Sequence, residues 1–186
     1  MDESVALQLA YHISTARLGR RRLAARTGLS EMAVRIELER MRDRGFVRLL
    51  RSGVELTAAG VRRFAPLLEP IRSVVRIELT SLRLGDVALA AHIAGRAAPP
   101  VWMLRDDAVR KGATGLLLLR FRTDGWCFAH DAEPVDRGNP KDAAKIGSAF
   151  PDPSDGDLLP IAFGPSVKDA GLGLWRAVHA LLAHAR

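Results

Sequence analysis

The sequence predicts an α+β protein: an N-terminal winged helix-turn-helix domain over residues 1–70, followed by a small mixed α/β sandwich domain over residues 71–186. Three observations carry this expectation. A basic short helix, a Thr27-Gly28-Leu29 turn and a Ser30-capped amphipathic helix follow one another, and two short strands come next. Charge is uneven, with 13 arginines against 8 acids up to residue 70 and 15 basic against 13 acidic residues after it. Strand and helix signals then alternate through the second half.

The first helix is expected over residues 3–14. Val5, Leu9 and Ile13 recur one turn apart with Ala6 and Ala10 beside them, which makes one face apolar. A second helix begins near Arg20. Arg20, Arg21 and Arg22 at its start oppose the positive end of the helix dipole, so local stability does not account for them. A phosphate would, because helix N-termini offer free N–H groups to anions. The third helix runs from Ser30, a good N-cap, to about Arg44. Val34, Leu38 and Met41 form its inner face. Met32, Ile36, Glu39 and Arg40 lie opposite, with Arg35 on the flank and Glu31 in the first turn. In a major groove Met32 and Ile36 would meet thymine methyls and Arg35 a guanine edge. Glu37, Glu39 and Asp43 give this helix a mixed charge.

Phe46–Leu50 and Val54–Thr57 read as a wing turned by Arg51-Ser52-Gly53, with Arg51 at its tip. Thr57 caps a fourth helix from Ala58, and Pro66 and Pro70 mark its end and a linker. The candidate DNA-contacting set is therefore Arg20, Arg21, Arg22, Ser30, Glu31, Met32, Arg35, Ile36, Arg40 and Arg51. The formal net charge of +7 suits a polyanionic partner, double-stranded DNA.

In the second half, Val74–Leu82 reads as a strand and Gly85–Arg96 as a helix with Val87, Ala90, Ala91 and Ala94 inward. Arg105–Lys111 reads as a short helix, and Gly115–Arg122 with Trp126–Ala129 as a hairpin turned at Asp124-Gly125. Residues 130–156 are rich in Asp, Pro and Gly and are expected to form a long surface loop. Leu158–Phe163 reads as a buried strand. Ser166 with Asp169 makes a capping box for a closing helix. Two loops are candidate ligand sites: Arg105 to Gly115, contributing Arg105, Asp106, Lys111 and Thr114, and Gly164-Pro165-Ser166 before the last helix, contributing Ser166.

Catalytic signatures are sparse. The five histidines form no zinc-ligand pattern, and no nucleophile-elbow motif is present. Asp152, Asp155 and Asp157 lack the rest of a calcium loop and read as a solvated acidic loop. Cys127 is alone, which excludes an intrachain disulfide. No catalytic residue, metal or cofactor is expected, and the chain reads as non-enzymatic. The acidic N-terminus and the lack of a long apolar run predict a cytoplasmic protein without membrane attachment.

The run Arg105-Asp106-x-Ala108-x-x-x-Gly112-Ala113-x-Gly115, with the strand–turn–helix from Leu158 into the Ser166 helix, resembles a motif of archaeal two-domain proteins. In these an N-terminal winged helix precedes a C-terminal domain of unknown function. The resemblance implies a transcriptional regulator and supplies no effector. The expected function is thus a DNA-binding transcriptional regulator whose second domain dimerises, senses a small-molecule effector, or does both. A homodimer is expected. The alternatives are a metabolic enzyme fused to a winged helix, and a winged helix serving protein contacts alone.

Overall fold

The computed structural model describes residues 2–123 and 125–184. The chain forms two compact units, Met1–Glu69 and Pro70–Arg186.

In the first unit, α1 (Glu3–Thr15), α2 (Arg20–Thr27) and α3 (Glu31–Asp43) precede a hairpin of β1 (Val47–Leu50) and β2 (Gly53–Leu56), and α4 (Ala58–Leu68) follows. That is the order of a winged helix-turn-helix. Side chains of Asp2, Ser30 and Thr57 cap α1, α3 and α4 by accepting from backbone N–H groups of the first turn. Leu7, Leu9, Leu23, Leu38, Met41 and Phe64 form the fully buried core. The α2–α3 turn is locked from both sides. Gly28 takes a left-handed φ of 72°, and the buried Thr27 hydroxyl donates to the Leu23 carbonyl at 2.8 Å.

Three local expectations need revision. The wing turn holds two residues, Arg51 and Ser52, because Leu50 pairs with Gly53. Pro66 lies inside α4 and does not end it. Proline removes one helical hydrogen bond there, but burial of Phe64 and Leu67 on the inner face carries the helix past it. No linker follows either, since a strand starts at Ile71.

The second unit is a five-stranded sheet of β3 (Ile71–Ile77), β4 (Val87–Ile93), β5 (Gly115–Arg122), β6 (Gly125–Phe128) and β7 (Leu158–Gly164). The order is β3-β4-β7-β5-β6 and every pairing is antiparallel. The last strand in sequence is central, and all its residues are buried. Helices α5 (Val101–Arg110) and α8 (Val167–His184) pack on β5, β7 and β4. The other face carries α6 (Val135–Gly138) and α7 (Pro140–Ala149), joined to it through Trp126, Val135, Ile146, Phe150, Leu159, Ile161 and Phe163. The mixed sandwich expected for this half is what the chain forms.

Two elements differ from their sequence reading. The segment expected as the helix Gly85–Arg96 is strand β4. Its alanines satisfy a helical spacing, but a strand covered on both faces needs small apolar residues in an unbroken run, and periodicity does not separate the two. The expected loop 130–156 contains α6 and α7. Asp142 explains why α7 sits where it does. Its buried carboxylate accepts from the N–H groups of Thr80 and Leu82 at 2.8 and 2.9 Å, and from the hydroxyls of Thr80 and Ser81 at 3.0 and 2.9 Å. Burial alone would raise its pKa, but these four bonds outweigh it and hold the group at about 2. The strand expected over Val74–Leu82 correspondingly ends at Ile77, and the turn after it wraps this carboxylate.

Asp157 also departs from its reading as part of a solvated acidic loop. It is buried, bonds His92 Nε2 at 2.7 Å, and accepts from the Gly95 and Ser154 N–H groups. Asp152 and Asp155 are exposed.

Candidate nucleic-acid interface

The N-terminus of α2, the outer face of α3 and the wing enclose a concave surface. One groove is lined by Gly19, Arg20, Arg35, Glu39 and the wing residues Leu49 to Val54. A second, sharing Gly19, Arg20 and Ser52 with it, is lined by Arg17, Arg21, Arg22 and Glu31. Six of the expected DNA-contacting residues, Arg20, Arg21, Arg22, Glu31, Arg35 and Arg51, therefore line this surface.

Their local electrostatics differ. Arg20, Arg22 and Arg51 have no carboxylate partner among the described residues, whereas Arg21 reaches Glu31 at 3.5 Å. The first turn of α2 holds no acid, and its Gly19 cap offers no side-chain acceptor. Free helix N–H groups and unpaired guanidinium groups thus face the same solvent, an arrangement suited to phosphate oxygens. Arg35 Nε donates to Glu39 Oε1 at 2.8 Å, and that hydrogen bond raises the Arg35 pKa while lowering that of Glu39. The bond uses Nε, so both terminal nitrogens of Arg35 remain free for a forked contact.

The other candidates are placed differently. Met32 and Ile36 are 60% and 41% exposed on the outer face of α3, as expected from the sequence. Ser30 is committed to its cap, accepting from Ala33 N at 3.1 Å. Arg40 turns to Glu37 at 3.3 Å and does not line either groove. Glu37 is buried, so it adds less negative charge to the outer face than its place in the sequence suggests.

Leu49 and Leu50 were missed. Strand alternation after Val47 would bury Leu49, yet both leucines are exposed and line the groove. Arg17 was also missed. It binds Glu55 at 2.6 Å, beside Arg48 at 2.7 Å. No sequence pattern marks either contact, because Arg17 and Glu55 come together only when the Leu18–Val54 bridge ties the start of the module to its wing.

In the second unit the two candidate ligand loops lie close together, and most of their polar side chains have protein partners. Gly112, at φ +107°, lies against Asp169. The Ser166 hydroxyl donates to Asp169 Oδ2 at 2.5 Å and accepts from Asp169 N at 3.2 Å. Thr114 donates to the Leu84 carbonyl at 2.7 Å, Lys111 is the C-cap of α5, and Asp106 pairs with Arg105. These loops are a helix stop and a capping box. Of the five candidates, Arg105 lines a cleft beside the start of α5.

Among the described residues no group of three or more His, Cys, Asp or Glu side chains could hold a metal ion. No described helix is long and apolar enough to cross a membrane.

Comparison with known proteins matches this division of the chain. Residues 8–71 match the family model of the CggR N-terminal DNA-binding domain. A solved structure, a hypothetical protein from Pyrococcus horikoshii OT3, superposes with a TM-score of 0.75 at 19% identity. The superposition covers 96% of this chain and 93% of that one, so the two share a fold over both units. No curated protein matches the chain. Residues 85–181, more than half of the chain, match the family model of a domain of unknown function, DUF4443, and the chain belongs to that family.

Proposed function

We propose that this chain is a DNA-binding transcriptional regulator. Its first unit grips duplex DNA through the α2 N-terminus, α3 and the wing, and its second unit pairs subunits, senses an effector, or does both. It is not an enzyme and needs no cofactor. One observation carries the reading: Arg20, Arg22 and Arg51, each without a carboxylate partner among the described residues, converge with Arg35 on one concave surface. That surface lies in the segment similar to a DNA-binding domain. Arginines held apart from acids are costly to cluster unless a polyanion neutralises them.

The exposed apolar residues Met32, Ile36, Leu49 and Leu50 favour a second reading. On DNA they would cover thymine methyls and sugar edges. On a protein they would form the core of a contact patch.

Selection of duplexes bound by the full chain from a random pool decides between these. The expected outcome is a recurrent site whose affinity falls steeply with salt. A pool that stays random, with no salt-dependent retention, would leave the protein-contact reading in place of the DNA one.

A further inference from the structure

We propose that the second unit binds a small organic anion, an anionic head on an apolar body, in the cleft between α5 and the β5–β6 hairpin, with Arg120 anchoring the head. This names a ligand class for the effector-sensing role proposed above. It rests on that reading only for its regulatory meaning, since binding in the cleft needs no DNA.

The cleft has a volume of about 730 Å³, within the range of small-molecule sites. Its walls are apolar: Pro99, Pro100 and Trp102 at the start of α5, with Leu116 and Leu118 on β5. Its ionisable lining among the described residues consists of Arg105, Arg120 and His130, with no carboxylate among them. Apolar walls with a few convergent basic groups select against both a bare inorganic ion and a neutral hydrocarbon.

Arg120 singles out the anion position. It is half-buried, and its Nη1 donates to the carbonyls of Arg96 and Gly156, both at 3.3 Å. These carbonyls fix the guanidinium without neutralising it, and no carboxylate pairs with it among the described residues. The other two basic side chains have acids of their own. Arg105 pairs with Asp106 at 3.2 Å and His130 with Asp131 at 2.9 Å, and neither acid lines the cleft. A half-buried, oriented and uncompensated guanidinium is what a carboxylate or phosphate ester would complete. Trp102 offers the body of the ligand a flat apolar face. It is 60% exposed, whereas Trp126 and Trp175 are 7% and 2% exposed.

That contrast makes the test local. The full chain is titrated with benzoate, hexanoate and phenyl phosphate, following tryptophan emission and calorimetric heat, with benzamide and inorganic phosphate as controls. We expect saturable binding of at least one of the three anions, at roughly millimolar concentration for probes this small. Benzoate should bind more tightly than its neutral isostere benzamide, and inorganic phosphate more weakly than phenyl phosphate. A preference between carboxylate and phosphate ester identifies the head group.

Arg120→Met should weaken binding about tenfold or more, as loss of a charge-assisted bond does. Trp102→Phe should remove the emission change and weaken binding a few fold, because a smaller ring then faces the body of the ligand. If Arg120→Met melts early, the exposed Arg105→Gln serves instead and should weaken binding severalfold. Absence of saturable binding by all three anions, equal affinity for benzoate and benzamide, or unchanged affinity in a folded Arg120→Met chain would each overturn the proposal. Duplex binding measured on the same samples keeps the outcomes apart: a chain that holds DNA but no anion loses only the ligand site.

Discussion

Arg35 carries the sharpest expectation at the scale of single residues. Its Nε is held by Glu39, which aims the free end of the guanidinium along the outer face of α3. Arg35→Ala should lower affinity for the selected duplex by about 1–3 kcal/mol while changing random-duplex binding much less. Equal losses on both would make it a backbone contact. Asp142 gives an expectation for stability. Its folded pKa of about 2 lies below the ordinary carboxylate value. The stabilisation, roughly 2 kcal/mol by linkage, is present above pH 4 and is lost as pH falls from about 4 to about 2. Acid titration of thermal stability should show this loss. Asp142→Asn should melt lower at neutral pH and lack that part of the acid sensitivity. A variant with an unchanged acid profile would show that the four hydrogen bonds to Asp142 are not its source.

At the scale of elements, α2 is the least self-sufficient helix of the first unit. Its cap is Gly19 without a side-chain bond, its first turn holds three arginines, and only Leu23, Ala24 and Thr27 are buried. Replacing Arg20, Arg21 and Arg22 by alanine should therefore cost little stability, since their charges oppose the helix dipole. Duplex affinity should fall on all sequences, and the salt dependence should flatten by up to roughly one unit per lost phosphate contact. An unchanged slope would remove α2 from the interface. Helix α4 shows the opposite dependence on packing. A Cβ on Gly60 would lie 2.0 Å from the Phe46 carbonyl oxygen, which is backbone and cannot step aside. Gly60→Ala should destabilise the first unit by about 1–3 kcal/mol or more, read as a lowered melting temperature. A wild-type melting temperature would mean that α4 shifts freely against the start of the wing.

For the whole molecule, one recognition helix reads a short site, and two-fold pairing presents two of them to half-sites about a helical turn apart or a multiple of it. We expect a homodimer paired mainly through residues 71–186, whose 15 basic and 13 acidic residues nearly balance, and an inverted-repeat operator. Sedimentation of the chain lacking residues 1–69 should give a dimer. A monomer, beside a dimeric full chain, would place the interface in the first unit. Most of the first unit was legible in the sequence because its signals are local: Ser30 and Thr57 as caps, Gly28 in the turn, and the apolar period of α3. The sequence also carried the closing strand β7 and the Ser166–Asp169 cap, for the same reason. The rest depends on residues far apart in the chain. The alanine-rich run 87–93 becomes a strand because β3 and β7 flank it. Asp142 settles α7 against the turn at residues 80–82. Asp157, just before β7, finds His92 on the neighbouring strand β4. Arg120 lines a cleft with no carboxylate to meet it among the described residues, and no local pattern reports a missing partner.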